Sequence, residues 1–227
     1  SGAGLRSYVE QGLDRNRSVR AARAEWKAAL ERVPQAGTLP EPVLRYGLFL
    51  QSVETRVGPQ RQRLGISQSF PWFGTLGLRE DVAAAAAETA RQRYREVLVG
   101  TARDIVAAFA EYHYLTKAQG ITRENLDLLT GWERIIRARY STGSAAYSDL
   151  IKVQVELGTL EDRLRSLEDR LNPARARLNA LVDLPSDTPI RMENGLPDPP
   201  ELASEEELAE AMHENNPELL ALRARVE

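Results

Sequence analysis

Between Leu76 and Tyr140 the chain holds no proline, and Tyr94, Val97, Thr101, Ala108, Tyr112, Leu115, Leu126, Leu129, Ile136 and Tyr140 fall on a seven-residue repeat. This run predicts one uninterrupted helix, roughly 95 Å long at ~1.5 Å per residue. A turn follows in "STGSAAYSD", Ser141 to Asp149. Leu150, Val153, Leu157, Leu160, Leu164, Leu167, Leu171, Ala174, Leu178 and Leu181 then alternate three and four apart. That spacing is the seam of a coiled coil. Pro173 is expected to kink the second helix, because it lacks an N–H and crowds the preceding turn. A helix so long has no globular core of its own. The seams of a pair like this are therefore expected to be covered by neighbouring copies or by a further half of the molecule.

Shorter helical segments flank the long one. Leu5, Tyr8, Val9, Leu13, Val19, Ala22, Trp26, Ala29 and Leu30 lie near helical spacing, and Pro34 is expected to close a helix over residues 5–33. A break near Asn16 is expected, with Asn16 or Ser18 capping the second part. At ~1.5 Å per residue this segment is roughly 45 Å long and the 149–183 helix roughly 50 Å, so together they match the long helix and could stack end to end beside it. Residues 184–203 are proline-rich and aperiodic, which predicts a connector. Ser204 and Glu207 then make a capping-box pattern that opens another helix. Glu10, Asn16, Ala21, Arg23 and Ala24 recur as Glu210, Asn216, Ala221, Arg223 and Ala224. That echo at a constant offset predicts an internal repeat whose second copy has only begun, in a chain expected to be incomplete.

Residues 38–74 have a different texture. Leu44, Tyr46, Leu48 and Leu50 alternate with Arg45, Gly47, Phe49 and Gln51. After the turn expected in "ETRVGPQ", Leu64, Ile66 and Phe70 alternate with Arg63, Gly65, Ser67 and Ser69. Period two predicts a β-hairpin with one apolar and one polar face. "SQSFPWFG" then gathers Phe70, Trp72 and Phe73 around Pro71, although aromatics are only 6% of the chain. On pattern alone, a soluble hairpin whose rings pack against a helix is the simpler reading.

Composition removes several alternatives. Net charge is only −3 and both signs are interspersed, so no nucleic-acid partner is expected. There is no cysteine, hence no disulfide, thiolate metal site or cysteine nucleophile. No run reaches the ~18 apolar residues of a transmembrane helix, so a membrane span would have to be made of β-strands. His113 and His213 have no partner at ligand spacing. With no phosphate loop and no nucleophile elbow, no enzyme, no catalytic residue, no metal and no cofactor is expected.

The order of elements, with the stretches "ISQSFPWFGTLGLRED" (66–81), "RYSTGSAAYSDLIKVQVEL" (139–157), "ARARLNALVDLP" (174–185) and "NNPELLALRARVE" (215–227), resembles the TolC family of outer-membrane efflux proteins. The resemblance covers essentially the whole chain. Its members carry two such repeats, and three chains form a twelve-stranded outer-membrane barrel continued by an α-helical periplasmic tunnel. The sequence differs from that pattern in holding one repeat and the beginning of a second.

The resemblance implies a mainly α fold with a β-hairpin: long antiparallel coiled-coil helices of an α-barrel tunnel plus two membrane strands of a trimeric barrel. Residues 1–37 would be the first periplasmic helices, 38–74 the outer-membrane hairpin and 75–183 the coiled-coil hairpin with its tip at 141–149. Residues 184–203 would be the equatorial connector and 204–227 the start of the second repeat. Leu44, Tyr46, Leu48, Leu50, Leu64, Ile66 and Phe70 would face lipid, with Phe70, Trp72 and Phe73 in an interfacial aromatic belt.

At the tip, the family's spacing of a Gly and an Asp six residues later is matched by Gly143 and Asp149. Gly143 would end one helix in the left-handed conformation, and Ser148 or Asp149 would cap the next. Tyr147 would be the ring offered to a partner, and Arg137 and Arg139 would pair with a neighbouring hairpin. The implied protein is the passive exit duct of a tripartite efflux or type I secretion system, in the outer membrane with a periplasmic extension. It would export small molecules, metal ions or proteins. Its partners would be a periplasmic adaptor (membrane fusion protein), an inner-membrane pump, outer-membrane lipid and two further copies in a homotrimer. The alternative is a soluble periplasmic adaptor built on a coiled-coil hairpin, although the lipoyl-like β-domain expected beside such a hairpin is not evident. A tip that touches only water is the plainer reading of residues 141–149.

Overall fold

The computed structural model describes residues 4–55, 58–192, 203–216, 218–220 and 222. The elements in chain order are α1 (Leu5–Arg15), α2 (Arg17–Ala36), β1 (Val43–Thr55), β2 (Gly58–Ser67), α3 (Thr75–Ser141), α4 (Tyr147–Leu181) and α5 (Glu205–Asn215). The fold is thus mainly helical with one two-stranded antiparallel sheet. Two compact units share the chain, Ser1–Ala21 with Arg95–Glu210 and Ala22–Tyr94 with Ala211–Glu227.

In the first unit the seam of α4 is not left open for another copy; α3 covers it. Leu115, Leu167 and Ala174 are buried together, with Tyr112, Ala118 and Leu171 packed around them. Polar clasps close over this seam: Gln119 and Arg123 both donate to Glu168 (3.2 and 3.0 Å), and Arg170 and Arg177 reach Glu111 (3.7 and 3.8 Å). Exposed ion pairs such as these stabilise by only ~0–1 kcal/mol each, so burial of the leucines carries the pairing. What stays open is a second stripe on α3, where Tyr114, Ile121, Leu128, Trp132 and Ile135 are all exposed.

A second cluster joins three helices. Tyr8 of α1, Ile105, Ala108 and Phe109 of α3, Leu178 of α4 and Val182 just beyond it are buried, with Leu184, Ile190 and Met192 packed against them. Gly12 lets α1 sit close here, since a Cβ at this position would run into the end of the Ile105 side chain and force it to shift. Residues 184–192 of the expected connector are therefore partly core. The backbone N–H of Arg191 donates to the Tyr8 hydroxyl at 3.3 Å, and Asn179 Nδ2 donates to the carbonyls of Ser186 and Thr188. The rest of the connector, 193–202, lies outside the described residues, as do Ala221, Arg223 and Ala224 of the internal echo.

Asn16 breaks the first helix as its residue type suggests. Its Oδ1 accepts from the Ser18 N–H at 2.9 Å, while its Nδ2 donates to the Leu181 carbonyl at 2.9 Å. Arg17 pairs with Asp183 at 3.0 Å, where α4 ends with Asp183 at φ 55°. Pro34 does not close its helix as expected. α2 continues through Pro34 to Ala36, and α4 runs through Pro173 to Leu181. In the last turn of α2 the proline sacrifices one internal hydrogen bond without ending the helix. Ser204 and Glu207 do form a capping box, each side chain accepting from the other's backbone N–H at 3.2 and 2.9 Å.

In the second unit, Trp26 of α2 stacks on Tyr94 of α3 with ring centroids 5.6 Å apart and 14° between planes. The hairpin is longer, and its connection shorter, than the sequence implies. Strand pairing extends to Thr55 opposite Gly58, while residues 56 and 57 of the expected turn lie outside the described residues.

Candidate functional site

The β-hairpin holds the first candidate surface. Its register pairs Leu44 with Ile66, Tyr46 with Leu64 and Leu48 with Gln62. Because opposite residues share a face, the predicted apolar positions come together, joined by one amide at Gln62. All five of those apolar side chains are exposed, as is Leu50, which lies past Leu48 in the stretch where the register shifts before Val53. The opposite face carries Val43 with Ser67, Arg45 with Gly65 and Gly47 with Arg63.

Phe70 does not belong to this strand face, which corrects the sequence reading: β2 ends at Ser67. Continuing the register would set Pro42 opposite Gln68 and Pro40 opposite Phe70, and neither proline has an N–H to donate. Instead the Gln68 side chain donates to the Pro40 carbonyl. The three rings of "FPWF" are nonetheless displayed outward, with Phe73 93% and Trp72 82% exposed. Trp72 and Phe73 meet edge to face at 6.1 Å. Gly74 then takes φ 83°, and its carbonyl accepts from the Leu78 N–H at 3.0 Å as α3 begins. A left-handed residue at this junction is what glycine permits at least cost.

The turn between α3 and α4 is the second candidate surface. Gly143 has φ 75°; its N–H donates to Tyr140 O at 3.0 Å, and the Ser144 N–H donates to Arg139 O at 2.8 Å. These two bonds make a Schellman motif that satisfies the last carbonyls of α3. The start of α4 differs from expectation. The cap is Ala146 in extended conformation with no side-chain cap bond, and Tyr147, Ser148 and Asp149 already lie in the first turn. Asp149 contributes there by its charge near the helix N-terminus, with Lys152 Nζ 3.8 Å away.

Tyr147 is exposed and its ring lies 5.6 Å from that of Tyr140, so two tyrosines share the tip where the sequence singled out one. Arg137 bonds Glu133 on its own helix, and Gln154 of α4 donates to the same carboxylate at 3.4 Å. The bond from Arg137 holds the Glu133 carboxyl below its ordinary value; desolvation opposes this and Gln154 assists it. Arg137 is thus already engaged within the hairpin. Among the described residues no group of His, Asp and Glu is placed to hold a metal, and no helix is long and apolar enough to cross a membrane, which says nothing of strands.

The family model for outer membrane efflux proteins matches residues 8–182. The chain belongs to the outer membrane efflux protein family. The matched family is one of outer membrane efflux proteins, not of soluble periplasmic adaptors. The solved structures with the same fold include VceC of Vibrio cholerae, an outer membrane protein, at 19% identity and TM-score 0.67, covering 81% of this chain and 47% of that one. They include also the outer-membrane channel OprN, at 18% identity and TM-score 0.78, with 97% and 52% covered. A membrane protein from Pseudomonas aeruginosa matches at 18% identity and TM-score 0.75, with 97% and 54% covered. The chain therefore spans about half the length of these structures. None of the curated protein sequences matches it.

Proposed function

We propose that the protein is the outer-membrane exit duct of a tripartite efflux or secretion system, through which solutes pass without chemistry on the protein. The observation that carries this reading is the hairpin register. In a chain of the outer membrane efflux protein family, it brings Leu44, Tyr46, Leu64 and Ile66 onto one exposed face and the arginines onto the other. An apolar face on a two-stranded ribbon has no protein core to enter, and lipid is the surrounding that suits it. In this reading Leu48 and Leu50 extend the lipid face, Phe70, Trp72 and Phe73 form the interfacial belt, and the polar face lines a water-filled lumen. Two strands alone leave open edges, so closure needs further strands from more copies and from a second repeat; a homotrimer of chains with two repeats has both.

Support for a second repeat comes from local geometry. The Asn216 Oδ1 accepts from the Glu218 N–H at 2.9 Å, and the Asn216 and Leu220 N–H groups donate to Met212 O and Asn216 O. Asn16 makes the same three kinds of bond with Ser18, Gly12 and Arg20. Residues 204–227 thus open the second repeat. The tip at 141–149 docks a periplasmic adaptor, which links the duct to an inner-membrane pump. Gly143, Tyr147, Ser148 and Asp149 form the docking surface, with Tyr140 adding a second ring. The whole protein in a planar bilayer tests the duct: stepwise conductance is expected, and a detergent-independent soluble protein without conductance overturns it. Gly143→Trp or Tyr147→Asp is expected to abolish export and adaptor crosslinking while insertion persists. Normal export and crosslinking in these variants would move docking elsewhere.

A further inference from the structure

The polar face of the hairpin is not uniformly polar; it is cationic. Arg45 stands opposite Gly65 and Arg63 opposite Gly47, so the two arginines are diagonal neighbours, ~7–8 Å apart at their backbones. Arg61 follows on the same face of β2, two residues along. A Cβ placed on Gly47 or Gly65 would meet nothing within 4 Å, so each arginine faces open space where a side chain would normally lie. Among the described residues, no carboxylate pairs with Arg45, Arg61 or Arg63. The one acid in the two strands, Glu54, pairs with Pro59 nearer the turn.

A guanidinium stays charged at every physiological pH and offers a planar fork to carboxylate, phosphate or sulfonate groups. On an open ribbon, water would screen such a pair. Inside a closed barrel, low-dielectric walls focus the field, and like charges repel unless anions lie between them. Rings of arginine are how pores favour anions.

We propose that Arg45 and Arg63, each set opposite a glycine, form an anion-attracting site in the barrel lumen, repeated once per chain. The inference rests on the duct reading, and through it the barrel end of the duct favours anionic solutes. With no carboxylate partner among the described residues, each arginine is left to pair with a passing anion.

The test is the reversal potential of the whole protein in a planar bilayer under a potassium chloride gradient. R45Q/R63Q is expected to lower the chloride-to-potassium permeability ratio at least about threefold near 0.1 M salt, since lumen potentials of this kind amount to several kT. The difference is expected to shrink toward 1 M, where the screening length falls from ~10 Å to ~3 Å. R45K/R63K keeps the charge and is expected to keep the ratio. If the double glutamine variant does not insert, R45Q and R63Q taken singly carry the test, each with a smaller fall. An unchanged ratio at normal conductance overturns the anion site and leaves the duct standing. Absence of any conductance from the unsubstituted protein overturns the duct, and the anion site with it.

Discussion

Ile105 and Leu48 are aliphatic side chains of equal size with opposite fates. Ile105 is fully buried, whereas Leu48 is 59% exposed. Around Ile105 the apolar residues recur at helical spacing on three helices, and each helix presents its stripe to the others: Tyr8, Phe109, Leu178 and Val182 close one core. Around Leu48 they recur at spacing two on a pair of strands, and among the described residues the face they make stays exposed. The difference teaches that apolar patterning specifies a face but not the medium that covers it. For the helical cluster the medium is protein; for the hairpin, in the proposed duct, it would be lipid.

The strongest way to separate the two regions is to truncate the helical cluster. Phe109→Ala is expected to destabilise the protein by ~3–5 kcal/mol, the usual cost of removing a buried aromatic side chain. Chemical denaturation of the whole protein in detergent measures it; a cost under ~1 kcal/mol would mean the cluster is not a core. In the hairpin the corresponding test is Leu48→Arg, expected to cost ~2–4 kcal/mol through membrane assembly, because a charge would lie near mid-bilayer. Arg45→Ser on the opposite face is expected to leave assembly intact. Equal effects of the two changes would erase the distinction between the faces.

The smallest expected effect lies at the tip. Glu133 is held below its ordinary value chiefly by Arg137. A depressed carboxylate pKa contributes stability that is complete above the unfolded-state value and is lost as pH falls through the folded one. The two ends of the hairpin helices are therefore expected to loosen on acidification below the ordinary glutamate range. Glu133→Gln is expected to remove that pH dependence, read by hydrogen exchange at the tip. A tip equally protected across that range in both proteins would show that the ion pair contributes nothing.

The contrast also marks what a sequence makes legible. Periodicity located α3 to within a residue at each end, as Thr75–Ser141 against the expected Leu76–Tyr140, because sixty-odd residues of consistent spacing leave little room for error. It assigned the faces of Leu44, Tyr46, Leu64 and Ile66 for the same reason. It overran at Phe70, since alternation in sequence persists where prolines on the partner strand have ended the ladder. The cap of α4 was misplaced because Ala146 reaches extended conformation without a side chain that advertises it. Asn16 bonding Leu181, Arg17 bonding Asp183 and Asn179 holding Ser186 and Thr188 were not legible at all. Each starts from a polar side chain that no periodicity marks, and most bridge distant parts of the chain, so no local pattern points to them.

The central claim, that one face of the hairpin meets lipid and the other water, has a direct test because the chain has no cysteine. Leu48→Cys and Arg45→Cys, made separately in the whole protein in its native membrane, can each be treated with a membrane-impermeant maleimide and with a lipid-soluble one. The thiol at 45 is expected to react with the water-soluble reagent and the thiol at 48 only with the lipid-soluble one. Equal labelling of both thiols from water, or the reverse pattern, would contradict it.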